Sequence, residues 1–145
     1  MWQYKPCQCI IYFMSEEEKK YKIIIVDDDD FLVDMYATKF GGSDVSVEAC
    51  KSGELFLEKM RAGIKVDLIL LDIVMPGLSG LDVLKEMRKS KLGEGIPVIM
   101  LTNQSDEKDI NESQKLGISS YIVKSAATPS EVVEEVLKII KDSHH

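Results

Sequence analysis

Asp27, Asp28, Asp72, Thr102 and Lys124 are the residues whose types and positions could do chemistry together. Asp72 follows the apolar run Leu68 to Leu71. After Ile73, Val74 and Met75 comes Pro76-Gly77, which can continue neither a strand nor a helix interior. So short an apolar run, bounded by turn residues, is the pattern of a strand covered on both faces, as in a parallel sheet. Asp72 then stands at the carboxyl end of its strand, the edge where open α/β sheets bind ligands. Other apolar runs end the same way: one in Asp27-Asp28-Asp29-Asp30, one in Thr102-Asn103, and the last in Tyr121-Ile122-Val123-Lys124. Carboxylates brought together at one edge repel and raise each other's proton affinity unless a cation lies among them. Hard oxygen ligands with room for water suit Mg²⁺. A lysine and a hydroxyl beside them complete a site for a phosphoryl group, since metal and ammonium neutralise its equatorial oxygens and threonine donates a hydrogen bond. Asp29 and Asp30 read differently, as first-turn residues that complement a helix dipole.

The elements that must position these groups alternate strand and helix. Tyr21–Val26 reads as a strand, and 29–40 as a helix with Phe31, Leu32, Met35, Tyr36 and Phe40 on its inner side, stopped by Gly41-Gly42. Val45, Val47 and Ala49 alternate with polar residues as in a half-exposed edge strand. Ser52 caps a helix carrying Leu55, Phe56 and Met60, ended by Gly63. Residues 66–71 form the central strand, 81–90 a helix with Leu81, Leu84 and Met87 inward, and 96–101 a strand with Pro97 near its start. The pattern predicts a largely polar helix over 106–116, a fifth strand over 118–123, and a last helix opened by Pro129 with Val132, Val133, Val136, Leu137 and Ile140 inward. Five βα units imply a parallel sheet with helices on both faces and right-handed crossovers.

At 145 residues the chain is the size of one domain with a real core. Its 45% hydrophobic and 30% charged residues are those of a soluble globular protein. A net charge of −7 argues against a surface that tracks nucleic-acid phosphates, and no run approaches the roughly 20 apolar residues of a membrane span. Three cysteines, two of them in Cys7-Gln8-Cys9, make neither a disulfide framework nor a zinc site, and a reducing cytoplasm is the expectation. Residues 1–13 differ in composition from the remainder of the chain, and Met14-Ser15-Glu16 reads as a natural start. Ser143-His144-His145 reads as the stub of a tag. The expected division is an extension over 1–19, a domain over 20–141 and a tail over 142–145.

Over residues 20–141 the chain resembles the receiver domain of bacterial two-component response regulators. The acidic pair of that family matches Asp27 and Asp28, its phosphoacceptor Asp72, its hydroxyl Thr102, its switch aromatic Tyr121 and its lysine Lys124. Asp72 lies 44 residues after Asp28, 30 before Thr102 and 52 before Lys124, the spacings usual in the family. The resemblance implies a flavodoxin-like (βα)5 fold with strand order 2-1-3-4-5. It implies Mg²⁺ held by Asp27, Asp28, Asp72 and the Val74 carbonyl, and a phosphoryl group moved onto Asp72 from a sensor histidine kinase or phosphotransfer protein. Thr102 and Lys124 would steady that group, and Tyr121 with Thr102 would form the switch. The output would be contact with a downstream protein through the face around the fourth helix, fifth strand and fifth helix. The implied protein is a cytoplasmic monomer or weak dimer that is no enzyme beyond its own phosphorylation and dephosphorylation, binds neither nucleic acid nor membrane, and ends at its fifth helix with no output domain.

Two positions depart from the family's pattern, and two more bear on self-hydrolysis. Asn103 follows the hydroxyl where a small residue is usual, Ser125 follows the lysine where proline is usual, and Val74 and Gln104 occupy the positions that tune self-hydrolysis. Val74 brings no polar group to orient water, which implies a long-lived phosphorylated state. Without proline at 125, a trans Lys124–Ser125 bond is expected, since cis would cost about 2.5–4 kcal/mol. The alternative reading is a pseudo-receiver, a binding module that keeps the fold and has lost phosphotransfer. A phosphatase with an aspartate nucleophile would want a second carboxylate where Val74 stands.

Overall fold

The computed structural model describes residues 19–144; the readings of 1–18 and of His145 fall outside that range. The strands are β1 (Tyr21–Val26), β2 (Val45–Cys50), β3 (Leu68–Leu71), β4 (Val98–Thr102) and β5 (Ser120–Val123). The helices are α1 (Asp30–Phe40), α2 (Gly53–Arg61), α3 (Gly80–Ser90), α4 (Glu107–Lys115) and α5 (Pro129–Ser143). The strands form one parallel sheet in the order β2-β1-β3-β4-β5, the flavodoxin-like topology expected.

The unbroken apolar runs are explained by this sheet, because alternate side chains leave it on opposite faces and both faces are covered. Ile24, Val26, Ile69, Leu71, Val98 and Met100 pack with Phe56, Leu57, Leu84 and Met87 of α2 and α3. Ile23, Ile25, Leu68, Leu70, Ile99 and Leu101 pack with Tyr36 and Phe40 of α1 and Val132, Val136 and Ile140 of α5. Helix starts are set by their caps: Asp29, Ser52, Ser79 and Thr128 each accept from a backbone N–H in the first turn, and Thr128 completes a capping box with Glu131.

Four details differ from the sequence-based expectations. Phe31 is 83% exposed and Leu55 48% exposed. Both lie in the first turn of their helices, and Val33 and Leu57 take the inner places instead. The alternation of β2 is broken, with Val45 and Ser46 buried, Ala49 exposed and Cys50 buried, although β2 is an edge strand. β3, β4 and β5 each begin two residues later than their apolar runs, and β4 runs on through Thr102. Asp29 is a cap whose carboxylate accepts from Leu32 N–H at 3.2 Å, so its role is more specific than complementing the dipole.

Candidate functional site

Strand register brings the site together. Val26 pairs with Leu71, so the residues next in the chain, Asp27 and Asp72, leave neighbouring strands side by side. Their backbones stay bonded, Asp72 N–H to Val26 O at 3.0 Å and Asp27 N–H to Cys50 O at 3.0 Å. Thr102 pairs with Val123, which places Lys124 just beyond the end of β5, in a 3-10 turn over Lys124–Ala126. The Lys124 ammonium then reaches back under the edge, 2.7 Å from Asp27 Oδ2 and 3.2 Å from Asp72 Oδ2. The side chains of Lys124, Asp27 and Asp72 are 12%, 3% and 8% exposed. No cis peptide bond occurs among the described residues, so Lys124–Ser125 is trans, as expected.

The cavity so formed measures about 600 Å³ and is lined by Asp27, Asp28, Asp72, Val74, Thr102 and Lys124, with Asp29, Asn103 and Gln104 at its margin. Asp27 Oδ1 accepts from Asp29 N–H at 2.9 Å, and Asp72 Oδ1 from Val74 N–H at 3.3 Å. Asp28 stands exposed at the lip, and the Val74 side chain points outward, 58% exposed. Thr102 is fully buried, its Oγ1 accepting from Gln104 N–H at 3.3 Å. Tyr121 is half-buried, and its hydroxyl donates to Gln104 O at 2.7 Å. Asp27, Asp28, Asp72, Val74, Thr102 and Lys124 therefore all line this pocket, and Tyr121 touches it through Gln104.

Charge is not balanced here. Burial pushes the Asp27 carboxyl above the ordinary carboxylate range, against the pull of Lys124 and of the Asp29 N–H. Burial pulls Lys124 down, but its hydrogen bond to Asp27 and the charge of Asp72 outweigh that and hold the ammonium firmly protonated. One ammonium thus faces three carboxylates. Asp27, Asp28 and Asp72 each offer an oxygen within 4.8 Å of the others, a hard-oxygen donor set open to water on the Asp28 side, and these residues fit Mg²⁺.

Two parts of the site carry no obvious signal in the sequence. Gly80, the first residue of α3, donates its N–H to Ile73 O at 2.8 Å, and a Cβ there would lie 2.0 Å from Asp72 O. Its backbone thus supports the backbone of Asp72. The only hint is a glycine straight after the Ser79 cap, where neither a turn nor a positive φ calls for one. Gln104 is the second. Its backbone joins Thr102 to Tyr121, and a backbone link leaves no mark on residue type.

Residues 23–137 match the family described as response regulator receiver domain. The chain belongs to that family. Receiver domains are phosphoaccepting signalling modules of two-component systems rather than classical enzymes. This one is 35% identical over 117 residues to the response regulator SaeR of Staphylococcus aureus, covering 79% of the present chain and 49% of SaeR. It is 39% identical over 83 residues to a probable cyclic di-GMP phosphodiesterase of Vibrio cholerae, covering 57% of the present chain and 19% of that protein. The receiver domain therefore spans about half or less of the length of these relatives. Among solved structures, a CheY-like receiver domain protein from Methanospirillum hungatei superposes with a TM-score of 0.76 at 25% identity, covering 86% of this chain and 96% of that one. Among the described residues, no helix is long and apolar enough to cross a membrane.

Proposed function

We infer that this receiver domain accepts a phosphoryl group on Asp72 and signals through protein contact. The observation that carries the reading is Lys124 Nζ held between Asp27 Oδ2 and Asp72 Oδ2 inside a pocket that opens to water at Asp28. Asp72 is the nucleophile, with Oδ1 anchored by the Val74 N–H and the other oxygen against the ammonium, which fixes the carboxylate in one orientation. Lys124 neutralises charge on the transferred group, and Thr102 supplies a hydroxyl from the next strand. Asp27, Asp28 and Asp72 would hold Mg²⁺, together with the Val74 carbonyl. When bound, the ion neutralises charge on the phosphoryl oxygens. No feature of the pocket favours the alternative of a pseudo-receiver.

The phosphoryl donor in this reading is a sensor histidine kinase or a phosphotransfer protein, and the location is the cytoplasm. Tyr121 and Thr102 form the switch. The face of α4, β5 and α5 meets the downstream protein, and the receiver acts as a monomer or weak dimer over residues 20–141.

Because three carboxylates face one ammonium, Mg²⁺ should raise the melting temperature by binding the native state. Asp28→Ala, on the exposed lip, should abolish that gain and slow phosphoryl acceptance from a small phosphodonor such as acetyl phosphate, without destabilising the metal-free fold. Thermal melts with and without Mg²⁺ check this. An unchanged Mg²⁺ response in the variant would remove Asp28 from the site.

A further inference from the structure

α4 is the helix with the least apolar anchorage. Ser113 is its one buried residue, and that hydroxyl turns back to Asp109 O at 2.8 Å. Ile110 and the adjoining Leu116 are only half-buried. A short polar helix gains little from burial, so its position depends on polar contacts. Its two ends differ sharply in these. At the N-terminal end Asp106 occupies the cap position but makes no side-chain hydrogen bond to the helix, so no side-chain cap serves the first-turn N–H groups. At the C-terminal end Arg88 reaches across from α3, its Nε donating to Leu116 O at 2.7 Å and its Nη2 to Gly117 O at 3.3 Å. Gly117, at φ +81°, closes the helix there, its N–H bonded to Gln114 O at 3.0 Å. One turn back along α4, Lys85 pairs with Glu112 at 2.8 Å. Arg88 and Lys85 are three residues apart and so share one face of α3. The planar guanidinium suits a pair of carbonyls, and its charge complements the negative end of the helix.

We propose that Arg88, assisted by Lys85, is a clasp that makes the C-terminal end of α4 a fixed pivot, so that the helix moves by swinging its N-terminal end. That free end comes directly after Thr102, Asn103 and Gln104. Gln104 is the link there, donating to Thr102 Oγ1 and accepting from the Tyr121 hydroxyl. A shift of Thr102 is therefore passed to the uncapped end of α4, while the clasped end keeps its distance from α3. The clasp stands on its own contacts. Only the trigger, a phosphoryl group at Asp72, rests on the proposed phosphoacceptor function.

Hydrogen exchange on the full chain tests this, comparing the unaltered protein with Arg88→Gln and Arg88→Lys, each with and without Mg²⁺ and beryllofluoride as the phosphoryl mimic. Without the mimic, Arg88→Gln should speed exchange about tenfold at residues 116–118 and leave residues 99–101 of β4 unchanged. Arg88→Lys, which keeps the charge but loses the fork, should fall between and provides the comparison if the glutamine variant does not fold. With the mimic, the unaltered protein should change protection over residues 104–110 and not over 113–117, whereas Arg88→Gln should spread the change along the whole helix. Equal exchange at 116–118 in all three proteins, or a response of the unaltered protein uniform along α4, would overturn the proposal. A mimic that changes no segment, alongside faster exchange at 116–118 in Arg88→Gln, supports the clasp and counts against the phosphoacceptor reading.

Discussion

Gly80→Ala is expected to destabilise the domain by roughly 3 kcal/mol, a severe loss for a single added methyl. The new Cβ would lie 2.0 Å from Asp72 O and 2.8 Å from Asp72 C. Both are backbone atoms of a strand end held by Asp72 N–H to Val26 O, so no rotamer change relieves the clash. Either α3 lifts and loses the bond from Gly80 N–H to Ile73 O, or the Asp72 backbone gives way. A displacement of Asp72, the proposed phosphoacceptor, by about 1 Å would cost on the order of 100-fold in the rate of phosphorylation, because the reaction depends on position. Gly42→Ala is the matched control, since nothing lies within 4 Å of its added methyl and its φ is ordinary. It should be neutral or slightly stabilising. Urea unfolding with acetyl phosphate kinetics checks both, and a Gly80→Ala protein of unaltered stability and rate would show that α3 does not brace Asp72.

Lys124→Met is expected to have the second largest effect. Methionine keeps most of the volume and removes the ammonium that bridges Asp27 and Asp72. Breaking a buried ion pair by removing one partner costs about 3–5 kcal/mol, and the side chains here are nearly closed to solvent. The loss should depend on pH. Burial already raises the Asp27 carboxyl above its ordinary value of 3.8, and without Lys124 it rises further. A carboxyl whose native pKa is raised contributes stability that is complete below the unfolded value and lost as pH climbs through the native one. The variant should therefore approach the unaltered protein in acid and fall away toward neutrality, and Mg²⁺ should restore part of the difference. Phosphorylation should fall by about 100- to 1000-fold, as for loss of one group aimed at developing charge. Metal-free stability that is equal at pH 7 in both proteins would mean Lys124 is not the charge that holds this edge together.

Much of this was legible in the sequence because the sheet is parallel and buried on both faces. Strands then appear as near-continuous apolar runs, and a polar residue that ends such a run lies at the edge where ligands bind. Asp27, Asp72, Thr102 and Lys124 are all of that kind. The inner faces of helices were less legible at their ends. Phe31 and Leu55 satisfy the helical spacing but occupy first turns at the carboxyl edge of the sheet, where there is less core to cover them. Contacts made by backbone atoms were not legible at all. The approach of Gly80 to Asp72 O, the Gln104 link between Thr102 and Tyr121, and the grip of Arg88 on carbonyls 28 and 29 residues away depend on where chain segments pass, not on residue pattern.

The most direct test of the central claim is the intact mass of the protein, at neutral pH, after incubation with acetyl phosphate and Mg²⁺, for the unaltered chain and for Asp72→Asn. Asparagine keeps the size of the side chain and removes the nucleophilic oxygen. The unaltered protein should gain ~80 Da, one phosphoryl group, and Asp72→Asn should gain nothing while melting as a folded protein. A gain of the same mass in Asp72→Asn, or none in the unaltered protein, would contradict the assignment of Asp72 as the phosphoacceptor.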